Sequence, residues 1–350
     1  MSQMTDLCLP EAIEDEETLD DVLSRPSQPL LDSMRRLTGD IMILGVGGKM
    51  GPTLARLAKR ASDQAGVSRR VIGVSRFSDG ILRNKLEAWG IETHACDLLD
   101  LEGLGRLPEA DNIVFMAGRK FGSTGAEAAT WAMNAYVPGL VIRRFPKARW
   151  AVFSSGNVYP LLPLAHGGAT EEDTPGPLGE YAQSVLGRER LFEHFSRVQG
   201  TPVSIIRLNY AIDLRYGVLF DIAQKVNTGQ PVDVTMGHAN VIWQGDANSY
   251  VLMSLGLASA PPTLINVTGP EIMSVRWAAQ RLAGYLGKEA VITGEEAPTA
   301  LLSNAAKCFA LFGYPKVPLE TMLRWTAHWL RVGGTSLGKP THFETRDGRF

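Results

Sequence analysis

The chain has 350 residues, of which 45% are hydrophobic and 21% are charged, as is typical of a globular protein that buries a sizeable core. Its formal net charge of −2 gives no basic field for nucleic acid or an anionic membrane, and no apolar run is long enough to span a bilayer. Its three widely spaced cysteines predict neither a disulfide framework nor a metal site, and no secretory signal begins the chain, so we expect a cytoplasmic location.

The start of the chain is strongly acidic. Residues 1–24 carry eight aspartates and glutamates and neither lysine nor arginine. A run of like charges is usually solvated or disordered, because the charges repel one another. We therefore expect residues 1–38 to form an acidic, solvated N-terminal arm, with a docking segment as the alternative.

From Asp40 onward, short apolar runs alternate with amphipathic helical patterns, which is typical of a parallel sheet with crossover helices. A parallel strand that is buried on both faces reads as a continuous apolar run. The sequence therefore predicts a doubly wound α/β sheet over residues 39–210. The six predicted strands are IMIL (41–44), VIGV (71–74), IETHA (91–95), NIVFMA (112–117), WAVFSS (150–155) and VSIIRLN (203–209).

Beyond this region the strand-like runs become shorter, for example VDVT (232–235) and TLINVT (263–268). The change predicts a smaller C-terminal α/β lobe over residues 211–332, which binds substrate and includes a segment that returns to the main sheet. Residues 333–350 are polar and rich in glycine, so we expect a loose C-terminal tail. The alternative is a tail that embraces a partner subunit.

A glycine-rich stretch, GVGGKMG (45–51), lies directly between the first predicted strand and a helical pattern. Gly45 would permit the tight turn, Gly48 the approach of a pyrophosphate to the backbone, and Gly51 the close packing of helix on strand. The free N–H groups at the start of the helix favour an anion. In this strand–turn–helix setting the three glycines predict a Rossmann domain that binds a nicotinamide dinucleotide.

The end of the second strand indicates which dinucleotide binds. In an NAD site, an acid at this place accepts hydrogen bonds from the adenosine ribose. Here the chain has Ser75 and Arg76, and the glycine loop adds Lys49. One hydroxyl and two cations suit a 2′-phosphate, so NADP is favoured, with NAD as the alternative. Asp97, after the third strand, is a candidate for holding the adenine amino group.

Further motifs follow in a fixed order along the chain. They are Ala117-Gly118 after the fourth strand, Asn134 in the next helix, SSGNVYP (154–160), Tyr181, RLNYA (207–211), WQGDAN (243–248) and LFGYPKVPLETMLRWTAHWL (311–330). With the glycine loop, they resemble the extended short-chain dehydrogenases/reductases, also called the NAD-dependent epimerase/dehydratase family. The resemblance runs from about Asp40 to Leu330.

The resemblance implies an NAD(P)-dependent oxidoreductase or epimerase that acts on a small sugar-like or hydroxy-acid substrate. It implies that Tyr181 transfers a proton, that Ser155 holds the substrate oxygen, and that Asn134 belongs to the same catalytic set. It also implies a homodimer that pairs through the helices containing Asn134 and Tyr181. The implied cofactor-binding residues are Gly45, Gly48, Lys49, Met50, Gly51, Ser75, Arg76, Asp97, Leu98, Ala117, Gly118, Tyr181 and Asn209.

The sequence departs from the family at two places. Four residues after the tyrosine, the family has a lysine that binds the nicotinamide ribose and lowers the tyrosine pKa, whereas this chain has Val185. Arg188 lies on the same helical face and is a candidate replacement, the alternative being a surface or ion-paired arginine. Nucleotide-sugar enzymes of the family commonly carry an arginine where this chain has Ala239 or Asn240. That difference argues against a UDP- or dTDP-linked substrate.

Arg119 and Lys120 follow the fourth strand at the edge where the crevice of such sheets opens. They predict a clamp for an acidic or phosphorylated substrate, with an exposed loop of incidental charge as the alternative. Asn157 and Tyr210 are further candidate substrate contacts. Two other functions stay open: a catalytically silent NAD(P)-binding sensor or scaffold, which Val185 favours, and a lyase or dehydratase.

Overall fold

The computed structural model describes residues 9–78, 80–120, 122 and 124–349, so Asp6 of the acidic run and Cys8 lie outside the described residues. The helices are α1 (Glu16–Leu23), α2 (Gln28–Arg36), α3 (Gly51–Gln64), α4 (Gly80–Ala88), α5 (Leu101–Gly105), α6 (Glu127–Trp131), α7 (Val137–Arg144), α8 (Gly179–Gln199), α9 (Val218–Asn227), α10 (Gln244–Ser254), α11 (Val275–Leu286), α12 (Ala306–Phe312) and α13 (Leu319–Arg331). The strands are β1 (Ile41–Leu44), β2 (Val71–Ser75), β3 (Glu92–Ala95), β4 (Asn112–Phe115), β5 (Arg149–Ser155), β6 (Leu162–Pro163), β7 (Val203–Leu208), β8 (Ala211–Ile212), β9 (Val232–Asp233), β10 (His238–Ala239), β11 (Ile242–Trp243), β12 (Thr263–Val267), β13 (Met273–Ser274), β14 (Ile292–Thr293) and β15 (Thr299–Ala300). Among the described helices, none is both long and apolar enough to cross a membrane.

The main sheet has seven parallel strands in the order β12-β7-β5-β4-β1-β2-β3. The strand order reverses at β1, which pairs with β2 on one side and β4 on the other. In such a sheet, ligands bind at this reversal, beyond the carboxyl ends of the strands. The predicted doubly wound α/β Rossmann sheet is confirmed.

The run TLINVT, which we expected in the smaller lobe, instead forms β12 and extends the main sheet. Val267 pairs with Leu208 in parallel register. The reason is burial: Ile265 and Val267 are fully buried and pack in the same cluster as Val251 of α10. The returning chain therefore adds both a strand and a covering helix to the main sheet.

The N-terminal arm is folded, in contrast to the solvated arm that its charge predicts. Leu19 of α1 is fully buried in the core of the smaller lobe, and Leu30 of α2 is fully buried against the main sheet. Asp20 is only 3% exposed and accepts hydrogen bonds from Lys85 at 2.5 Å and Arg215 at 3.2 Å. Cations far along the chain thus neutralise part of the acidic run, which local composition does not reveal.

The C-terminal tail is also packed against the protein rather than loose. Phe343 is 1% exposed and belongs to the hydrophobic core of the smaller lobe. The backbone N–H and the hydroxyl of Thr341 both donate to Asp221 of α9, at 2.7 and 2.5 Å. One buried aromatic ring and these hydrogen bonds hold a polar segment in place, which its composition alone did not predict.

Candidate active site

The glycine loop has the geometry that its sequence predicts. Gly45 has φ +96°, and a Cβ on it would lie 2.6 Å from the backbone nitrogen of Ala117. A Cβ on Gly51 would lie 2.2 Å from the backbone oxygen of Val46, so side chains at both positions would collide with the sheet or the loop. Gly48 is exposed, and a Cβ there would approach only the backbone oxygen of Gly45, at 3.4 Å. Its open face, before a helix without a side-chain cap, suits the approach of a phosphate.

The residues that end β2 and β3 lie beside this loop. The hydroxyl of Ser75 lies 2.4 Å from where a Cβ on Gly47 would stand, so β2 ends directly against the loop. Arg76 and Asp97 are exposed, and the carboxylate of Asp97 accepts a hydrogen bond from the backbone two residues later at 3.0 Å. Leu98 is buried. These residues lie outside the cavity described next.

A cavity of about 330 Å³ opens at the carboxyl ends of β4, β5 and β7 and extends to the glycine loop. This volume is near the lower end of the range of about 300–1,000 Å³ that is usual for small-molecule sites. The predicted site residues that line it are Gly48, Lys49, Met50, Gly118, Arg119, Lys120, Asn134, Ser155, Asn157, Tyr181, Asn209 and Tyr210. Those that do not line it are Gly45, Gly51, Ser75, Arg76, Asp97, Leu98 and Ala117.

Tyr181 and Ser155 meet in this cavity. Tyr181 lies in the first turn of α8, and Ser155 ends β5. Ser155 acts on the Tyr181 hydroxyl and lowers its pKa, and the Ser155 oxygen accepts hydrogen bonds from the side-chain nitrogen of Asn157 at 2.9 Å and from its backbone N–H at 3.2 Å. Burial raises the pKa of Tyr181, while the charge of Arg188 and the hydrogen bond with Ser155 oppose the rise. Tyr181 therefore keeps its proton at neutral pH.

Val185 does not line the cavity. It is 1% exposed and packs in an apolar cluster with Val158 and Tyr159, against which the ring of Tyr181 also rests. Val185 thus fills space behind Tyr181, and a lysine there would bring a charge into apolar surroundings.

Arg188 does line the cavity, one helical turn beyond Val185. It is 5% exposed and donates hydrogen bonds to the backbone oxygen of Phe153 at 2.7 Å and to the side-chain oxygen of Asn134 at 3.0 Å. Burial lowers the pKa of Arg188 to about 10, so the guanidinium stays cationic at neutral pH. It is not a surface arginine, and no carboxylate among the described residues forms an ion pair with it.

Asn134 connects Arg188 to the loop after β4. It is fully buried in a π-helical turn (Ala132–Tyr136) between α6 and α7, an irregularity often found at functional sites. Its side-chain oxygen accepts from Arg119 N at 2.8 Å, and its side-chain nitrogen donates to Ser184 Oγ at 2.9 Å. A Cβ on Gly118 would lie 2.6 Å from Nη2 of Arg188. The glycine therefore leaves room for the guanidinium beside the cavity.

The lysines predicted for the site contact aromatic rings that line the cavity. Nζ of Lys49 lies 3.0 Å from the ring centroid of Tyr216, a cation–π contact, rather than beside Arg76. Nζ of Lys120 lies 5.7 Å from the ring centroid of Tyr181. Tyr210 has φ +43°, an uncommon backbone conformation for a residue with a side chain and one that often marks functional sites.

Sequence reasoning missed several lining residues. Tyr216, Lys339 and Thr341 line the cavity, although no motif contains them and the last two belong to the tail. A buried support beneath the site was missed as well: Arg207 pairs with Glu189 at 2.7 Å, and Ser154 donates to the same carboxylate at 2.5 Å. The position of Arg207 in RLNYA was the only available signal for that support.

Solved structures share this architecture. The UDP-glucose 4-epimerase of Thermotoga maritima has a TM-score of 0.68 and 18% identity, covering 83% of this chain and 98% of that chain. The UDP-glucuronic acid 4-epimerase of Bacillus cereus, solved with UDP-glucuronic acid and NAD, has a TM-score of 0.69 and 16% identity, covering 83% of this chain and 99% of that chain. The dTDP-glucose 4,6-dehydratase of Streptomyces venezuelae, solved with NAD, has a TM-score of 0.70 and 18% identity, covering 83% of this chain and 97% of that chain.

The chain has the epimerase/dehydratase fold. The resemblance that the motifs predict is therefore confirmed at the level of architecture, over most of the chain. No protein-family model matches the sequence, and no curated protein sequence matches it significantly.

Proposed function

We propose that this chain is a nicotinamide-dinucleotide-dependent oxidoreductase of the epimerase/dehydratase kind that acts on a small hydroxylated substrate. The observation that carries the proposal is that Tyr181 and Ser155 both line one cavity that continues from the glycine loop. Proteins of the same fold in the solved structures bind NAD together with sugar nucleotides or nucleotides. A binding module would need neither of the two hydroxyls at this place.

The dinucleotide, when bound, supplies or accepts the hydride. Ser155 holds the substrate oxygen, and Asn157 fixes the Ser155 oxygen from two nitrogens. Because burial keeps Tyr181 protonated, its favoured action at neutral pH is to donate its proton to the oxygen of a carbonyl that becomes a hydroxyl. Carbonyl reduction is therefore the favoured direction, and an epimerase would include the same step as its second half.

Oxidation of a hydroxyl requires the reverse transfer, which a nearby cation assists by stabilising the tyrosinate. The cation of this site is Arg188, whose charge opposes the effect of burial on the pKa of Tyr181. Its hydrogen bonds to Asn134 and Phe153 fix it at the cavity wall. In the proposed mechanism, Arg188 takes over the electrostatic part of the missing lysine's role.

NADP remains the favoured cofactor in this proposal. The open face of Gly48 and the uncapped start of α3 fit the pyrophosphate, and exposed Arg76 beside Ser75 fits a 2′-phosphate. Lys49 is not part of this argument, because its side chain contacts Tyr216.

The substrate in this proposal carries no nucleotide. Ala239 and Asn240, the two candidates for the place where an arginine would grip a diphosphate, are both buried, and Asn240 is used inside the fold. Its side chain accepts from Ser303 N at 3.0 Å and donates to the backbone oxygen of Glu271 at 3.0 Å.

We further propose that the chain forms a homodimer through the helices α6–α8. We also propose that it works in the cytoplasm, where the two described cysteines, Cys96 and Cys308, stay free thiols.

The test is turnover of NADPH or NADP with a panel of small ketones and hydroxy compounds, for the wild type, Tyr181→Phe and Ser155→Ala. We expect each variant to lose about 100-fold or more in turnover while it still binds the dinucleotide. The competing function, a catalytically silent sensor, predicts dinucleotide binding with no turnover in any of the three proteins. Turnover that survives Tyr181→Phe undiminished would overturn the assignment of the proton donor.

A further inference from the structure

Every ionisable Lys, Arg, Asp or Glu side chain in the described lining of the cavity is basic. These residues come from the glycine loop, the loop after β4, helix α8 and the tail, and no aspartate or glutamate joins them. They are Lys49, whose pKa of about 6 leaves it mostly uncharged at neutral pH until an anion binds, and Arg119, Lys120, Arg188 and Lys339. Cavity walls of one sign concentrate ligands of the opposite sign, so the lining favours an anion.

The positive charge is concentrated on the substrate side. Lys120 lies against Tyr181, and Lys49 lies over Tyr216, with ring distances of 5.7 and 3.0 Å. Burial and the charges of Lys120 and Lys339 together lower the pKa of Lys49 to about 6, against the opposing charges of Asp213 and Asp221. An anion between these lysines would relieve that cost of burial and repulsion.

The two carboxylates that act on Lys49, Asp213 and Asp221, are held by other groups. Asp221 accepts two hydrogen bonds from Thr341, and Asp213 pairs with Arg215 at 2.9 Å. Neither carboxylate lines the cavity. Their negative charges weaken the positive potential of the lysines without entering the cavity, so the charged side chains of the described lining remain basic.

The tail completes this wall. Lys339 and Thr341 line the cavity, and Phe343 anchors the segment in the core of the lobe. Farther along, the backbone oxygen of Gly348 packs so closely on Gly179 that a Cβ on Gly179 would lie 2.3 Å from it. The tail therefore contacts α8 two residues before Tyr181.

We propose that the substrate is a small hydroxy or keto acid, and that its carboxylate binds Lys120 together with Lys49 and Lys339 while its reacting oxygen faces Tyr181 and Ser155. This inference rests on the oxidoreductase function proposed above and names its substrate class. The competing source of anionic charge is the pyrophosphate of the dinucleotide, which the same lysines could serve.

The experiment is isothermal titration of the full chain with matched acid and neutral pairs: D-gluconate with D-glucitol, D-glucuronate with D-glucose, and glycolate with ethylene glycol. Each titration is done with and without saturating NADPH, in two buffers of different ionisation enthalpy. The proteins are the wild type, Lys120→Gln and, as a matched control on an exposed lysine outside the cavity, Lys307→Gln.

We expect at least one acid to bind about tenfold or more tightly than its neutral partner in the NADPH complex, with proton uptake as Lys49 becomes charged. Lys120→Gln should remove that preference and leave the affinity for NADPH within about twofold. Lys307→Gln should change neither the preference for acids nor the affinity for NADPH.

Equal binding of acids and their neutral partners would overturn the proposal. Loss of acid and NADPH binding in parallel would also overturn it, because the lysines would then serve the pyrophosphate. If acids bind but no dinucleotide does, the oxidoreductase function fails instead.

Discussion

Arg188 donates a hydrogen bond of 3.0 Å to the side-chain oxygen of Asn134, which holds its guanidinium at the wall of the cavity that contains Tyr181. Burial raises the pKa of Tyr181, and the charge of Arg188 is the largest influence that opposes this rise. We propose that this cation, one turn beyond Val185 on α8, takes the place of the lysine that the family has at Val185.

Arg188→Met should raise the pKa of Tyr181 further, because the opposing charge is gone. We expect hydroxyl oxidation, which needs the tyrosinate, to fall about tenfold or more near neutral pH and its pH profile to move about one unit or more toward alkaline pH. Arg188→Lys keeps the charge, so its oxidation rate and its pH profile should lie between those of the wild type and Arg188→Met. The measurement is the pH dependence of turnover in the oxidative direction. If Arg188 were merely structural, activity would fall equally at every pH and the profile would keep its shape.

Gly118→Ala should disturb the same arrangement from the opposite side. The added Cβ would lie 2.6 Å from Nη2 of Arg188 and 3.0 Å from the side-chain oxygen of Asn134, so the guanidinium must move. Because the displaced, buried guanidinium would lose hydrogen bonds to Phe153 and Asn134, we expect the free energy of unfolding to fall by about 1–3 kcal/mol. The pH profile should shift as in Arg188→Met.

The control for that substitution is Gly284→Ala in α11, where a Cβ meets nothing within 4 Å. Its turnover and pH profile should be those of the wild type. A wild-type profile in Gly118→Ala as well would show that the position of the guanidinium does not matter to Tyr181.

Val185→Lys should not restore a more active enzyme. Val185 is 1% exposed among apolar neighbours, so we expect a lysine there to lower the free energy of unfolding by about 2 kcal/mol or more. Val185→Met has a length similar to lysine without the charge, so it should cost only the overpacking of the site, about 1–3 kcal/mol, and less than the lysine. Chemical denaturation measures both. A lysine variant as stable as the methionine variant and more active than the wild type would contradict the replacement of the lysine by Arg188.

Lys49→Met should stabilise the protein in a pH-dependent way. Burial lowers the pKa of Lys49 from 10.5 to about 6. The folded protein therefore disfavours the charged lysine, and the stability of the wild type falls as pH falls from 10.5 toward 6. We expect the variant to exceed the wild type by about 1–2 kcal/mol near neutral pH, with the difference disappearing in strongly alkaline solution.

Denaturation of the wild type and Lys49→Met across this pH range measures the effect, with Lys307→Met as the exposed control. The control should show no comparable pH-dependent gain. Equal stability of Lys49→Met and wild type at every pH would contradict the burial cost assigned to Lys49.

The parts of the fold that depend on local pattern were predictable. Ile41, Met42, Ile43 and Leu44 are fully buried in β1, with alternate side chains in two different hydrophobic clusters, which is why the strand reads as one apolar run. The positive φ of Gly45 and the close packing at Gly51 likewise follow from the spacing of the loop. The cavity then gathers Tyr181 and Ser155 from segments that the motifs identified.

The parts that depend on long-range partners were not predictable. The acidic composition predicted a solvated Asp20. In the structure, Arg215, far along the chain, forms an ion pair with it at 3.2 Å. Phe343 lies in a polar, glycine-rich tail whose composition indicates a loose end, yet one ring buried in the lobe anchors it. Lys339 enters the cavity only because of that anchor, so no local pattern could have placed it there.

The central claim is that the cavity and glycine loop form a dinucleotide redox site. Its most direct test is titration of the protein with NADPH and NADH, followed by nicotinamide fluorescence, for the wild type, Gly48→Ala and the control Gly284→Ala. A Cβ on Gly48 would make only an ordinary contact of 3.4 Å inside the fold, but it stands on the face that the pyrophosphate approaches. We predict that the wild type and the control bind NADPH more tightly than NADH and that Gly48→Ala binds about tenfold or more weakly. Absence of binding by both dinucleotides, or undiminished binding by Gly48→Ala, would contradict the claim.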